Sequence, residues 1–283
     1  MIPKGKLIII GGHEDKSVAG ESLTVIKRKG SKPHPHFEIL ASLISKIPRA
    51  HHIIEIIATA SSIPQEMEEM YRKAYKAAGF TQVGFIRIEN EIEANDILNI
   101  KRIEYCHAVF FTGGDQSRLT TTLNETAVLE TIKKKYLVDE HFIIAGTSAG
   151  AMSIPKTIIA RGIIREALMK NDIKISKGFN LISDIIVDTH FIKRGRFARL
   201  AHAVALNPLL LGIGLGEDTA LIILNGNEAQ CLGSGMVIII DGSNIGKTNI
   251  KKVDSSTPII IENLKVHILS ESSTFLLKER ELL

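Results

Sequence analysis

The sequence has few cysteines and no long apolar segment. Its 283 residues include only Cys106 and Cys231, and neither stands in a C-x-x-C pair or beside histidines at metal-ligand spacing. This pattern predicts neither a disulfide framework nor a zinc site, and it favours a reducing compartment. No segment reaches the roughly 18–20 apolar residues that a membrane span requires, and the apolar run near Met1 is too short for a signal-peptide core. We therefore expect a cytoplasmic protein without a membrane anchor.

The charge of the chain is small. The formal net charge is +4, and lysines and arginines are scattered apart from the short runs Lys27–Lys29 and Lys133–Lys135. Such runs are typical of solvated surfaces, so the composition does not favour a nucleic-acid partner. Hydrophobic residues make up 45% and charged residues 23%, as in ordinary globular proteins. The length suits one large α/β domain over residues 1–283.

The first two thirds of the chain alternate short apolar runs with helical patterns. Such alternation predicts a mostly parallel sheet that is covered on both faces. The predicted strands are Lys6–Ile10, Ile53–Ala58, Gln82–Ile86, Ala108–Phe111 and Phe142–Ala145. The predicted helices are Phe37–Ile47, Pro64–Ala78, Glu93–Ile100 and Glu125–Tyr136. The polar, basic segment Val18–His36 is expected to form a surface loop.

From about Leu211 the pattern changes to short strand-like runs that are separated by turn signals. We expect these runs to add antiparallel strands to the main sheet. They are Leu221–Leu224, Met236–Ile240, Ile259–Ile261, Lys265–Leu269 and Thr274–Leu277.

Ser148 is the strongest candidate for a catalytic nucleophile. It is the central residue of Gly-x-Ser-x-Gly, which follows the apolar run Phe142–Ala145 and precedes a possible helix. A strand, a sharp turn and a helix in this order form the setting of a nucleophile elbow. The flanking Gly146 and Gly150 allow the backbone to approach closely. The sequence therefore predicts a serine hydrolase.

A serine nucleophile needs a base, and an acid to orient that base. Among ten histidines, His190 is placed best, because it ends a buried apolar run that starts at Ile185. Three acids are candidates for the orienting carboxylate, and their spacing does not choose among them. They are Glu166, Asp184 and Asp188.

Three further clusters follow predicted strands or the base. The loop Gly113-Gly114-Asp115-Gln116 can offer Gly114 N–H to an oxyanion together with Ala149 N–H, and Gln116 to a substrate amide or carboxylate. Arg194, Arg196 and Arg199 suit an anionic substrate group, although a solvated helix face is the simpler interpretation. The acids Glu14 and Asp15 in the run Gly11–Asp15 either face a cationic substrate or cap the next helix.

Taken together and in this order, the strings GGHEDK, FFTGGDQSRL, GTSAGAMS and DTHFIKRGRFARL resemble the cyanophycinases of the dipeptidase E-like serine peptidases, peptidase family S51. The resemblance covers about Leu7 to Glu217. It implies a three-layer α/β sandwich with a mostly parallel central sheet, like that of class I glutamine amidotransferases, with serine in place of their cysteine. Antiparallel C-terminal strands complete the expected fold.

The resemblance also implies roles for individual residues. Ser148 matches the nucleophile, His190 the base, and Glu166 the third member of the triad. Positions that line the family's substrate pocket match Gln116, Asp188, Thr189, Arg194, Arg196 and Arg199. One departure is Thr189, where the family pattern leads us to expect glutamine, and a shorter side chain there could alter substrate choice.

The activity that the resemblance implies is exo-type hydrolysis of cyanophycin, a poly-aspartate whose β-carboxyls carry arginine, to β-Asp-Arg dipeptides. Such hydrolysis needs no metal or organic cofactor. The nearest alternative is a peptidase of small aspartyl dipeptides, and a different class is a binding protein on the same scaffold. The resemblance further suggests a homodimer.

Overall fold

The structure, a computed structural model, describes residues 1–14, 38–45, 53–162, 168–255 and 257–283. The helices in these ranges are α1 (Glu38–Ser45), α2 (Pro64–Ala78), α3 (Glu91–Ala94), α4 (Ile97–Tyr105), α5 (Gln116–Leu123), α6 (Ala127–Val138), α7 (Ala149–Ser153) and α8 (Phe197–Leu206). The strands are β1 (Lys6–Ile10), β2 (Ile53–Ile57), β3 (Gln82–Ile86), β4 (Ala108–Phe111), β5 (Ile143–Thr147), β6 (Thr157–Gly162), β7 (Ile173–Lys177), β8 (Ile185–Asp188), β9 (Leu211–Leu215), β10 (Thr219–Leu224), β11 (Glu228–Gly233), β12 (Val237–Asp241), β13 (Lys265–Leu269), β14 (Thr274–Leu276) and β15 (Glu281–Leu282).

A nine-stranded sheet forms the centre of the fold, in the order β15-β14-β11-β10-β1-β5-β4-β2-β3. The five strands from β1 to β3 in this order are parallel. The other four continue the sheet in antiparallel pairs. The five strands predicted in the first two thirds of the chain correspond to the five strands of the parallel part, and the prediction of an α/β fold with antiparallel C-terminal strands is confirmed.

A second sheet has the order β13-β12-β9-β8. Strands β8 and β9 are parallel, and β12 and β13 add to them in antiparallel pairs. This sheet corrects the expectation that every late strand would join the main sheet. The predicted strand Ile259–Ile261 is also wrong, because only an isolated bridge from Ile261 to Thr248 forms there. Strands β6 and β7 form a separate antiparallel pair.

Apolar side chains pack on both faces of the main sheet. Helices α1 and α2 cover one face, where Tyr71 and Tyr75 pack on Phe110. The other face packs against α4–α7 and the second sheet in one continuous core. Because strands such as β4 and β5 are buried on both faces, their sequences are apolar without alternation.

The predicted helix Pro64–Ala78 has the same bounds as α2. It ends before Gly79, whose backbone is in a left-handed conformation. The predicted helix Glu93–Ile100 is instead the end of α3 and the start of α4, because the Asp96 side chain caps a new helix by accepting from Leu98 N–H. The predicted loop Val18–His36 lies outside the described residues. Within the described ranges, none of the helices combines the length and hydrophobicity needed to cross a bilayer.

Candidate active site

Ser148 lies in a strained turn between β5 and α7. Its φ of 51° and ψ of −115° are unusual for a residue with a side chain. Its N–H donates to Ile10 O at 3.0 Å, which ties the turn to the end of β1. A Cβ on Gly150 would lie 2.2 Å from Phe111 O, and one on Gly146 would lie 2.7 Å from Gly150 C. The two glycines of the motif are therefore required by close backbone packing.

His190 faces Ser148 from the end of the second sheet. Thr189 separates it from the end of β8, and its Nε2 lies 3.0 Å from Ser148 Oγ. Its N–H donates to Gly11 O at 2.9 Å. Gly12 packs flat against the ring, since a Cβ there would lie 2.4 Å from His190 Cε1. The Gly11–Gly12 turn therefore fixes both the backbone and the ring of the base.

Glu217 completes a line of three side chains. It follows β9, and its Oε1 lies 2.8 Å from His190 Nδ1. The next residue, Asp218, donates its N–H to Gly12 O at 2.9 Å, and Lys193 Nζ lies 3.1 Å from Glu217 Oε2. A carboxylate at Nδ1 keeps the ring proton on that nitrogen, so that Nε2 is free to accept the serine proton.

The pKa shifts of His190 and Glu217 favour proton transfer from Ser148 to His190. Burial lowers the pKa of His190 below its usual 6.5, and the opposing effect of Glu217 does not fully offset it. Burial raises the pKa of Glu217, but hydrogen bonds from His190 and Lys193 outweigh this and lower it overall. Near neutral pH the imidazole is therefore an unprotonated base and Glu217 an anion.

Glu217 is a candidate for the orienting acid that the sequence did not indicate. The predicted acid, Glu166, lies outside the described residues, and Nδ1 of His190 has Glu217 as its partner. Of the other candidates, exposed Asp184 lies at the opposite end of β8 from His190. The signal for Glu217 was an acid that only Gly216 separates from a buried strand. This signal identifies Glu217 only when β8 and β9 are known to be parallel neighbours, because His190 and Glu217 then lie at the same edge of the second sheet.

The third candidate, Asp188, is fully buried and bonded to two arginines. Arg199 donates through Nε at 2.7 Å and through Nη2, and Arg196 Nη1 donates at 2.9 Å. The resemblance predicts that Asp188, Thr189, Arg196 and Arg199 line the substrate pocket. In the structure, Asp188 and Arg199 bond to each other in the interior, and Thr189 is buried beside them. Arg196 is mostly buried and also donates to Thr189 O at 2.7 Å.

The remaining predicted residues surround the serine. Arg194 is exposed and close enough to His190 to lower its pKa. Gln116 opens α5 and donates through Nε2 to Ile159 O and Ala160 O. A Cβ on Gly113 would lie 3.8 Å from Ser148 Oγ, so the loop that carries Gly114 borders the nucleophile. Ala149 is the first residue of α7.

Glu14 connects the loop after β1 to side chains of α2 and β5. It is buried, and its carboxylate accepts from Tyr71 Oη at 2.8 Å and from Thr147 Oγ1 at 2.7 Å. These bonds connect the loop after β1 to α2 and to the residue before the nucleophile. Asp15 lies outside the described residues.

A serine on a strand-to-helix turn, in line with an imidazole and a carboxylate, defines a serine hydrolase. The fold and comparison with known sequences make the class narrower. The model of peptidase family S51 matches residues 30–231, and the chain belongs to this family of serine-type peptidases.

Curated relatives extend over nearly the whole chain. A cyanophycinase of Synechococcus elongatus is 31% identical over 98% of this chain and 81% of its own length. A cyanophycinase of Trichormus variabilis is 33% identical over 99% and 88%, and one of Geminocystis herdmanii is 31% identical over 96% and 93%. Among solved structures, a peptidase from an acI-B1 Actinobacterium has the same fold, with a TM-score of 0.66, 21% identity and coverage of 98% and 97%.

Proposed function

We propose that this protein is a serine exopeptidase that degrades cyanophycin to β-Asp-Arg dipeptides. The observation that carries the proposal is the line from Ser148 Oγ through His190 to Glu217, with distances of 3.0 and 2.8 Å. The cyanophycinases at 31–33% identity over nearly the full chain support the substrate. An intact relay also argues against a binding protein on the same scaffold.

The triad has the following roles. Ser148 Oγ attacks the aspartyl backbone carbonyl while His190 Nε2 takes its proton, and Glu217 stabilises the imidazolium through the Nδ1 hydrogen bond. His190 then gives the proton to the leaving amine, so that the peptide bond breaks and an acyl-enzyme forms. Water loses a proton to His190 and attacks the ester, and His190 then gives this proton to Ser148 Oγ as the acyl product leaves.

Two backbone groups are proposed for the oxyanion. The N–H of Ala149 follows the nucleophile directly, and the loop of Gly113 and Gly114 borders Ser148 from the other side. Removal of one such donor typically costs about 10²–10³-fold in kcat. A Cβ on Gly114 would lie 2.0 Å from Ala60 O, so any side chain there would displace this loop.

We infer the substrate contacts from the solvent exposure of the side chains around Ser148. We assign the polymer carboxylates to exposed Arg194 and a positioning role to Gln116, whose amide nitrogen is already bonded to β6. Arg196, Arg199, Asp188 and Thr189 act indirectly, by holding the segment that carries Arg194 and His190.

Ser148→Ala tests the proposal. The variant should fold normally by circular dichroism and lose all ability to clear a suspension of purified cyanophycin, whereas the wild-type protein should clear it. Undiminished clearing by the variant would contradict the mechanism. A wild-type protein that cleaves small aspartyl dipeptides but leaves the polymer intact would contradict the substrate.

We also propose a cytoplasmic homodimer. Both cysteines are free and buried, which suits a reducing compartment, and the dimer follows from the family resemblance. Light scattering coupled to size exclusion should give twice the chain mass of 31.1 kDa, and the mass of one chain would contradict the dimer. Cell fractionation of the source organism tests the compartment.

A further inference from the structure

His13 lies beside the triad without belonging to its proton relay. Its Nε2 is 3.7 Å from Glu217 Oε1, and its ring meets that of His190 edge-on with centroids 5.4 Å apart. Its side chain is 65% exposed, compared with 7% for His190 and 24% for Glu217. The three side chains therefore form a cluster that opens to solvent through His13.

The cluster has the donor set of a transition-metal site. Two imidazoles and a carboxylate are ligands that zinc accepts, usually with water in the fourth position. The ligand atoms of the three residues lie within 4.8 Å of one another. Tetrahedral zinc with bonds near 2.1 Å would place them about 3.4 Å apart. His190 Nδ1 and Glu217 Oε1 are already closer than this, and exposed His13 would need to approach by only a short movement.

We propose that His13, His190 and Glu217 bind Zn²⁺ and that binding switches the peptidase off. This inference depends on the proposed function only in taking Ser148 as the nucleophile. It concerns an inhibitory ion and adds no metal to the reaction. The sequence could not indicate the site through ligand spacing, because its members follow three different strands, β1, β8 and β9.

Inhibition follows from the tautomer of His190. Catalysis needs the proton on Nδ1 and a free lone pair on Nε2, which faces Ser148 Oγ at 3.0 Å. Zinc at Nδ1 takes the lone pair of that nitrogen, so the single proton of the neutral ring must move to Nε2. No proton is gained or lost overall, but Nε2 becomes a donor and cannot accept the proton of the serine. The metal also removes Oε1 of Glu217 from the relay.

Neighbouring charges limit the affinity without blocking the site. Lys193 Nζ lies on the other oxygen of Glu217, Oε2, and leaves Oε1 to the cluster. Exposed Arg194 also contributes positive charge near His190. We therefore expect reversible binding that a chelator undoes.

His13→Asn is the decisive variant. His13 has a φ of 50°, and asparagine tolerates this left-handed conformation while its amide is a poor zinc ligand. The matched control is His141→Asn, because His141 is also exposed and also forms one histidine–glutamate contact, at 3.6 Å to Glu140.

Two measurements use the full-length chain. Calorimetric titration of ZnCl₂ into Ser148→Ala protein, which keeps all three ligands, should show one site that is lost when His13→Asn is added and kept with His141→Asn.

Labelling of wild-type Ser148 by a fluorophosphonate should slow with ZnCl₂, recover with EDTA and be unaffected by MgCl₂. In His13→Asn, labelling without zinc should stay near the wild-type rate. The zinc concentration for half inhibition should rise at least about tenfold, since even changes behind a metal ligand cost ~10–100-fold in affinity.

Equal zinc binding by the His13→Asn and His141→Asn proteins would overturn the site. Zinc that binds through His13 but leaves Ser148 labelling unchanged would overturn the inhibition. A wild-type protein that is not labelled even in EDTA would contradict the proposed function instead, and the calorimetric comparison would still decide whether the site exists.

Discussion

At the scale of single residues, Gly12 shows how closely the backbone surrounds the base. Its φ is 99°, and its α-carbon faces the imidazole so that a Cβ would lie 2.4 Å from Cε1 and 2.6 Å from Nε2 of His190. The ring cannot move away freely, because Ser148 and Glu217 hold its two nitrogens. The glycine is therefore a requirement of the site itself.

We predict that Gly12→Ala lowers kcat/KM about 10²-fold, the loss that a displacement of about 1 Å can cause. Gly226→Ala is the matched control, because Gly226 also has a positive φ, of 61°, but a Cβ there would meet only Pro3. Both variants share the cost of left-handed alanine, so only Gly12→Ala should lose activity. Similar kinetics for the two would show that His190 is not displaced.

Glu217 provides a second prediction at this scale. Glu217→Gln should reduce kcat/KM by about 10⁴-fold, as loss of the orienting carboxylate does in other serine hydrolases. Glu166→Gln and Asp184→Asn should stay near wild type. If instead Glu166→Gln lost most turnover and Glu217→Gln kept it, the assignment of the acid would be wrong.

The pH profile separates positioning from a general loss of folding. Glu217 raises the pKa of His190 through its hydrogen bond and charge, so removing the carboxylate should lower that pKa further. The base is active when unprotonated, and the acidic limb of kcat/KM, measured in EDTA, should therefore move to lower pH in Glu217→Gln. Glu217→Asp should recover part of the activity. An acidic limb at the wild-type pH would contradict the role.

At the scale of elements, a buried charge cluster joins β8 to α8. Asp188 ends β8 with no exposed surface, and Arg199 in α8 and Arg196 before it both bind its carboxylate. The cluster fixes the segment that begins with His190. Arg196 and Arg199 therefore have a structural function, because both bind the carboxylate of Asp188.

Asp188→Asn should lower the free energy of unfolding by about 3–5 kcal/mol, because two buried guanidinium groups would lose their counter-charge. Asp184→Asn at the exposed start of the same strand should change it by less than about 0.5 kcal/mol. Urea denaturation measures both. Equal stabilities would mean that the cluster does not hold β8 to α8.

The same scale shows what the sequence could predict. The bounds of β1, β3, β4 and α2 followed from local patterns, because apolar runs, Pro64 and Gly79 mark them directly. Strand pairing did not follow, since β9 and β10 are adjacent in sequence yet belong to different sheets. Ser148 and His190 could be proposed from the sequence because each follows an apolar run. Glu217 was missed because its role depends on that pairing.

At the scale of the whole molecule, the site lies where the two sheets meet. Ser148 follows β5 of the main sheet, and His190 and Glu217 follow β8 and β9 of the second. A backbone bond from His190 N–H to Gly11 O connects the end of β8 in the second sheet to the end of β1 in the main sheet. One core cluster contains apolar residues of both sheets.

We propose that this site cleaves the backbone of cyanophycin through Ser148. Mass analysis of the soluble products, after purified polymer is incubated with the wild-type protein, tests it most directly. We expect β-Asp-Arg dipeptide as the product. Free arginine with residual poly-aspartate would contradict it, because that result would place the cleavage at the side-chain isopeptide bond.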